Sequence, residues 1–127
     1  MLGETRPVAF VPSTDQEQAR RFFGEVLGLR FVADDQFALV FEMAGGVMLR
    51  VVNVKGMEGF APAPFTILGW EVPDATQAAR DLAGRGVELL RVPGLPQDED
   101  GVWSAPGGAK VVWFKDPTGN TLSVSQH

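Results

Sequence analysis

The sequence predicts an α+β fold built from two tandem units, each with the order strand, helix, strand, strand, strand. The first observation behind this prediction is that the same order of apolar runs, helix signals and turns occurs twice along the 127 residues. The second is spacing, since Asp15 and Asp74 open the two helices 59 residues apart, and Gly28 and Gly86 end them 58 residues apart. An internal repeat in constant register indicates duplicated units.

The repeat also sets the expected boundaries of the chain's parts. The first unit covers about residues 7–54 and the second about residues 65–126. Between them, residues 55–64 contain two Gly and two Pro, a composition typical of a linker. We expect residues 1–127 to form a single domain, because domains commonly contain roughly 100–150 residues.

The elements of the first unit follow from periodicity and capping signals. An apolar run at residues 8–11 ends at Pro12 and predicts a strand. Thr14 followed by Glu17 has the spacing of a capping box at a helix start. One apolar stripe then follows at helical spacing, formed by Ala19, Phe22, Phe23, Val26 and Leu27. Three strands are predicted after the helix, at residues 29–33, 37–43 and 47–54.

The second unit repeats this order from a strand at residues 65–72. Asp74 is predicted to cap its helix, and the apolar stripe is Ala78, Ala79, Leu82 and Ala83. Later strands are predicted at residues 87–92, 102–105, 110–114 and 121–125, with an acidic loop at residues 93–101. The segment from Asp116 to Gly119 is predicted to be a turn in which Asp caps, Pro presets φ and Gly takes positive φ.

Composition excludes several classes of function. The formal net charge is −5 and the sequence pI is about 4.7, so binding to a phosphate backbone is disfavoured and no nucleic acid is expected. No apolar stretch approaches the roughly 20 residues of a membrane span, and we expect no membrane association. The absence of cysteine excludes disulfides and thiol chemistry and fits a cytoplasmic protein.

Two segments carry a family resemblance. One is DQEQARRFFGEVLGL at residues 15–29, and the other is WFKDPTGNTL at residues 113–122. In order and spacing they resemble the vicinal oxygen chelate superfamily, which holds glyoxalase I, extradiol dioxygenases and the bleomycin resistance proteins. In that family the first helix ends in a Phe-Tyr-x-x-x-Leu-Gly-Leu pattern and the last turn is Asp-Pro-x-Gly-Asn. The resemblance covers about residues 8–124.

The resemblance implies the glyoxalase/bleomycin resistance fold. In it, each unit curls its mixed sheet into half of a cup that encloses a small-molecule ligand, and the helices pack on the outer face. It also implies a homodimer. Metal-dependent members place His, Glu or Gln ligands at four equivalent strand positions, which in this sequence are Val8 (or Pro7), Arg50, Ile67 and Ser123. These side chains do not form a donor set for a divalent cation, so we expect no metal and no other cofactor.

The residues expected to bind a ligand are those that strand alternation and the resemblance place in the cup: Phe10, Arg50, Ile67, Gly69, Glu71, Trp103 and Ser123. Arg50 would either pair with a carboxylate or phosphate of the ligand or form an ion pair with Glu71. Glu71 is a weak catalytic candidate, as a base, and otherwise a salt-bridge partner. Trp103 would either cover the pocket or pack at the sheet edge.

These expectations favour a small-molecule-binding protein that takes an apolar or aromatic ligand without the shared metal. The alternative is a lyase or dioxygenase of the same superfamily that uses a metal-free site or an unconventional one, for instance with Glu42 and Glu71.

Overall fold

The computed structural model describes all 127 residues, and the chain divides into two compact units, Met1–Ala61 and Pro62–His127. The boundary falls within the segment predicted to be a linker. Each unit contains one four-stranded mixed sheet with its own helix, so the predicted α+β fold is confirmed. Both sheets are open. No helix combines the length and the apolar character required to cross a membrane.

The first unit contains four strands and one helix. Its elements are β1 (Val8–Ser13), α1 (Gln16–Arg21), β2 (Arg30–Asp34), β3 (Ala38–Glu42) and β4 (Met48–Asn53). The sheet order is β1-β4-β3-β2, in which β1 runs parallel to β4 and the other neighbours are antiparallel. A π-helical turn at Phe22–Val26 continues α1. Gly28 ends this segment at a φ of +78°, a conformation that glycine adopts without a Cβ penalty.

The second unit repeats the topology. Its elements are β5 (Thr66–Glu71), α2 (Ala75–Gly84), β6 (Trp103–Ser104), β7 (Lys110–Lys115) and β8 (Thr121–Gln126). The sheet order is β5-β8-β7-β6, with β5 parallel to β8. In each unit the first strand therefore lies parallel to the last one, and the helix follows the first strand, in the order that the repeated sequence pattern predicts.

Helix caps agree with the sequence at one unit and shift by one residue at the other. Asp74 accepts a hydrogen bond from the backbone N–H of Gln77 at 3.0 Å, as predicted. In the first unit the cap is Asp15, which accepts from the N–H of Gln18 at 3.0 Å, rather than the predicted Thr14. Asp15 serves because its carboxylate lies one residue closer to the first free N–H groups of the helix.

The predicted strand at residues 87–92 is reduced to a single bridge between Leu89 and Phe114. The side-chain amide of Gln97 accounts for this. It accepts from the N–H of Val92 at 2.6 Å and donates to the carbonyls of Leu90 and Gly101 at 3.0 and 2.8 Å. The N–H of Leu90 still donates to the Trp113 carbonyl, but the next backbone groups, the carbonyl of Leu90 and the N–H of Val92, are satisfied by this one glutamine.

Each sheet has a face that packs on its helix and a face that does not, which we call the open face. In the first unit, the ring of Phe23 contacts the ring of Phe41 at 6.0 Å, so Phe41 marks the helix face. In the second, Gln126 on β8 accepts from the N–H of Ala75 at the start of α2. Core residues alternate onto the helix faces, namely Val11, Phe41, Leu49 and Val51 in the first unit and Val112, Phe114, Leu122 and Val124 in the second.

Candidate functional site

The open face of the first unit is centred on a row of three residues. Arg50 on β4 lies opposite Phe10 on β1 and opposite Val40 on β3, so all three side chains share one face. Phe10 is 60% exposed, which is unusual for a phenylalanine within a strand. Phe10 and Arg50 therefore lie side by side, as predicted, on a partly apolar surface that contains one guanidinium group.

That guanidinium has a partner in its own unit. Arg50 Nη2 donates to Asp35 Oδ2 at 2.5 Å. Asp35 lies in the turn between β2 and β3, where its other oxygen accepts from the N–H groups of Phe37 and Ala38. The hydrogen bond from Arg50, followed by that from Ala38, lowers the pKa of the Asp35 carboxyl below its ordinary value. Arg50 is thus paired with Asp35, a residue that neither sequence-based interpretation of Arg50 included.

A second ion pair lies on the same face. Arg30 on β2 lies opposite Glu42 on β3, and the Arg30 guanidinium donates to the Glu42 carboxylate through two nitrogens. Both arginines within the strands of the first unit therefore have a carboxylate partner, and the open face of its sheet carries no unpaired strand cation.

The open face of the second unit has a different central row. Ser123 on β8 lies opposite Gly69 on β5 and opposite Trp113 on β7. A Cβ at Gly69 would lie 2.9 Å from Ser123 Oγ and 3.3 Å from the Ser123 carbonyl oxygen. Glycine is therefore required for the close approach of β5 to β8 at this point, where the buried Ser123 hydroxyl lies next to the space that a larger side chain would need.

The next row across the same sheet holds two more of the predicted residues. Glu71 lies opposite Ser125, Ser125 opposite Val111, and Val111 opposite Trp103. The rings of Trp103 and Trp113 lie 6.0 Å apart at an interplanar angle of 33°. Glu71 is exposed, forms no ion pair, and lines a shallow groove of about 360 Å³ together with Val72, Pro73, Gln126 and His127. The second unit thus presents an aromatic pair at one end of a row and a carboxylate at the other.

Of the seven predicted ligand-binding residues, the second unit brings four onto one face: Gly69, Glu71, Trp103 and Ser123. Phe10 and Arg50 share the open face of the first unit. Ile67 lies in a β-bulge between Thr66 and Leu68, so it has no partner on β8 and the strand register does not assign it to either face.

The four positions that hold metal ligands in the resembling family do not suit a cation here. Val8 and Ile67 are hydrocarbons, Arg50 is a paired cation, and only Ser123 offers an oxygen. No group of three or more His, Cys, Asp or Glu side chains converges anywhere in the chain. Glu42, one of the two residues of the unconventional alternative, is engaged by Arg30.

The turn before β8 has a structural explanation. The carboxylate of Asp116 accepts from the backbone N–H groups of Thr118, Gly119 and Asn120 and from the Asn120 amide, at 2.8 to 3.0 Å. Burial raises the pKa of Asp116, and these hydrogen bonds act against that rise. Gly119 takes a φ of +98°. The Asp-Pro-x-Gly-Asn segment therefore stabilises the turn, as the sequence predicts.

Two residues of these faces were not among the predicted site residues. Asp35 is hidden from sequence reasoning because its contact with Arg50 depends on the β3–β4 register and on the turn shape. Trp113 could have been found from the sequence, because it alternates along the strand with Val112 and Phe114, which are buried on the helix face. It was not selected because tryptophans within strands are more often core residues.

Comparison with known proteins relates the chain to one family. The model of the Glyoxalase/Bleomycin resistance protein/Dioxygenase superfamily matches residues 7–124. No curated protein matches the chain at a significant level.

Solved structures share the fold over the whole chain. A member of the glyoxalase/bleomycin resistance protein/dioxygenase superfamily from Sphaerobacter thermophilus DSM 20745 is similar with a TM-score of 0.77 and 20% identity, covering 100% of both chains. TnmS3, an antibiotic binding protein from Streptomyces sp. CB03234, has a TM-score of 0.71 and 23% identity, over 99% of this chain and 98% of its own. Lactoylglutathione lyase from Agrobacterium tumefaciens has a TM-score of 0.71 and 16% identity, over 99% and 96%.

Proposed function

Since this chain belongs to the Glyoxalase/Bleomycin resistance protein/Dioxygenase superfamily, we propose that it is a small-molecule-binding protein that takes an apolar or aromatic ligand without the divalent metal of the family's enzymes. The observation that carries the proposal is the open face of the second sheet. There the Trp103–Trp113 pair shares one face with the exposed Gly69, and Ser123 lies between Trp113 and Gly69 in the sheet. Apolar surface with a few placed polar groups is typical of small-molecule sites.

The aromatic pair supports a flat ligand in particular. A tilted pair of indoles at 6.0 Å leaves ring surface on the open face that no core residue of the same unit covers, because the core lies on the helix face. Both indoles are only half-buried. Aromatic rings stack in offset or tilted geometries, each pair contributing roughly 0.5–1.5 kcal/mol beyond area burial.

The donor chemistry supports a metal-free mode. A divalent cation at the family's four positions would meet Val8 and Ile67, which have no donor atom, and Arg50, which repels it. TnmS3, which shares the fold, is an antibiotic binding protein, and this supports a binding role for the fold. A lyase or dioxygenase activity with an unconventional site is the competing proposal, and Glu71 is the carboxylate on which it would depend.

Thermal-shift screening of the purified protein tests ligand binding. Flat aromatic antibiotics are expected to raise the Tm, because a ligand that binds only the native state stabilises it by about 2.7 kcal/mol at a concentration of 100 times Kd. Acyl-CoA compounds form the comparison set. If only acyl-CoA compounds or no compounds raise the Tm, the aromatic-ligand proposal is wrong.

Elemental analysis of the protein, purified without chelators, tests the metal-free part. We expect Ni, Zn, Fe and Mn at well below one equivalent per chain, for want of converging donors. A stoichiometric metal that Glu71→Gln removes would favour the enzyme with an unconventional site.

Two further parts of the proposal come from the family and from composition. We expect the chain to form a homodimer, which sedimentation equilibrium measures directly. A cytoplasmic location is expected because the chain contains no cysteine. Fractionation of the native cells, with the protein found outside the cytoplasm, would contradict it.

A further inference from the structure

We infer that the ligand is an aromatic cation, with a flat ring on the Trp103–Trp113 pair and a protonated amine directed at Glu71. The inference rests on the proposed function and names the class of ligand that the open faces select. The inference is based on which charged side chains of the two sheets have no ion-pair partner. It is also based on the position of Glu71 relative to the exposed tryptophan rings.

The strand arginines of the first open face do not offer an unpaired cation to an anionic ligand. Arg50, the guanidinium at the centre of the first open face, is held by Asp35, and Arg30 is held by Glu42. An anion at Arg50 would have to displace a carboxylate that is itself fixed by two backbone N–H groups. Because the lowered pKa of Asp35 keeps this carboxylate ionised at neutral pH, the pair presents no net positive charge to a ligand.

A cation meets the opposite situation in the second unit. Glu71 is exposed, has no ion-pair partner and lines the groove at the end of β5. The lysine of this open face, Lys115, lies two rows from Glu71, opposite Thr121, and one row beyond Trp113 on β7. The Glu71 end of the face therefore carries an unpaired carboxylate, with His127 beside it in the groove, and the chain as a whole has a net charge of −5.

The spacing of carboxylate and rings sets the size of the ligand. Glu71 on β5 and Trp113 on β7 are separated by one strand, β8, hence by roughly 10 Å across the sheet and two residues along it. The residues between them, Gly69, Ser123 and Ser125, are small, and the imidazole of His127 hydrogen-bonds the Ser125 hydroxyl at 3.1 Å. A bicyclic or tricyclic ring with an amine on a short arm spans this distance.

The tryptophan rings and Glu71 both attract a ligand ammonium group. An ammonium group beside an indole face is attracted by the ring's quadrupole, and its attraction to a partly exposed carboxylate adds to this. A neutral ligand of the same shape obtains only the stacking contribution. A carboxylate analogue is repelled by Glu71.

Three probes with one ring system separate these cases: 1-naphthylmethylammonium, 1-naphthalenemethanol and 1-naphthoate. Isothermal titration calorimetry at low ionic strength is expected to show the ammonium probe binding about threefold to tenfold more tightly than the alcohol, and the carboxylate probe binding most weakly. At about 0.5 M NaCl the advantage of the ammonium should shrink, because salt screens exposed charges.

Substitutions test whether Glu71 binds the ammonium group and whether the tryptophans bind the ring. In Glu71→Gln, the ammonium and alcohol probes are expected to bind equally. Asp81→Asn is the matched control, because it removes the same charge from α2, on the helix side of the same sheet, and should leave the ratio unchanged. Trp113→Leu should weaken all three probes by about twofold to tenfold. Trp103→Leu, in the two-residue strand β6, gives a second test of the ring surface if the Trp113 variant does not fold.

Each outcome is decisive. If the alcohol and ammonium bind equally to the wild type and Trp113→Leu weakens both, the proposed function stands and the cationic ligand is wrong. Tighter binding of 1-naphthoate would also overturn the cationic ligand and would point to Lys115, the lysine beside Trp113 on β7. If no probe binds, or if neither tryptophan variant affects binding, the proposed function falls together with the inference.

Discussion

The two units share a backbone plan but differ at every position of the central row on their open faces. The equivalent residues are Phe10 and Gly69 on the first strand, Arg50 and Ser123 on the fourth, and Val40 and Trp113 on the third. In the first unit the bulk and the charge lie on the parallel pair. In the second unit the parallel pair is small and the bulk has moved to the neighbouring strand.

This difference teaches where a duplicated fold is constrained and where it is free. The helix faces keep the same chemistry at equivalent places, since Phe41 lies opposite Leu49 and Phe114 lies opposite Leu122. The open faces diverge because no helix of their own unit packs on them. A duplicated sheet can thus change the residues of one open face without altering its core.

The largest expected effect tests whether the two cores are equivalent. Phe41→Ala and Phe114→Ala should each lower the free energy of unfolding by about 3–5 kcal/mol, because both rings are 0–1% exposed and their removal leaves a cavity. Urea denaturation of each variant measures this. A loss below about 1 kcal/mol in only one of them would show that the cores are not equivalent.

A smaller effect should separate the two turns that precede the last strands. Both turns make the same backbone hydrogen bonds, from Met43 N–H to the Val47 carbonyl and from Asp116 N–H to the Asn120 carbonyl. Only Asp116 adds a side-chain acceptor, so Asp116→Ala should cost about 1–3 kcal/mol by leaving buried N–H groups without partners. Met43→Ala is the matched control, and an equal loss in both variants would mean that the carboxylate contributes nothing.

The contrast between Phe10 and Gly69 gives the next test. Gly69→Ala should lower the unfolding free energy by about 1 kcal/mol or more, because its Cβ would lie 3.3 Å from a backbone carbonyl and 2.9 Å from Ser123 Oγ. The double variant with Ser123→Gly should recover part of this loss. The exposed Phe10→Ala should change stability by no more than about 0.5 kcal/mol. A Gly69→Ala protein as stable as the wild type would refute the close approach of β5 to β8.

The smallest effect concerns pH. Asp35 has a lowered pKa, so its contribution to stability is present above the ordinary value of 3.8 and is lost as pH falls below it. Asp116 has a raised pKa, so its carboxylate is disfavoured by burial, and stability falls as pH rises from 3.8 through the raised value. The wild type should therefore gain stability over Asp35→Asn with rising pH and lose it relative to Asp116→Asn. Unfolding free energies measured from about pH 3 to 7 would contradict this if both differences had the same sign.

The sequence predicts the repeated topology because the helix caps, the apolar stripes and the strand alternation are local signals. Asp74 caps α2 as expected, and alternation alone places Arg50, Gly69 and Ser123 on open faces. The partner of Arg50 was not predictable, because Asp35 reaches it only through the shape of a hairpin turn. The absence of a full strand at residues 87–92 was not predictable either, because it depends on the side chain of Gln97, which hydrogen-bonds backbone groups of the loop.

The β-bulge between Thr66 and Leu68 has a consequence for how this protein can vary over evolution. A bulge holds one residue outside the ladder, so the segment that precedes it can lose or gain a residue without turning Gly69 and Glu71 to the opposite side. In the first unit, β1 pairs with β4 without a bulge, and an insertion within β1 would turn the Phe10 side chain to the opposite face of the sheet. The junction between the duplicated halves can therefore change in length while Gly69 and Glu71 keep their places on the open face.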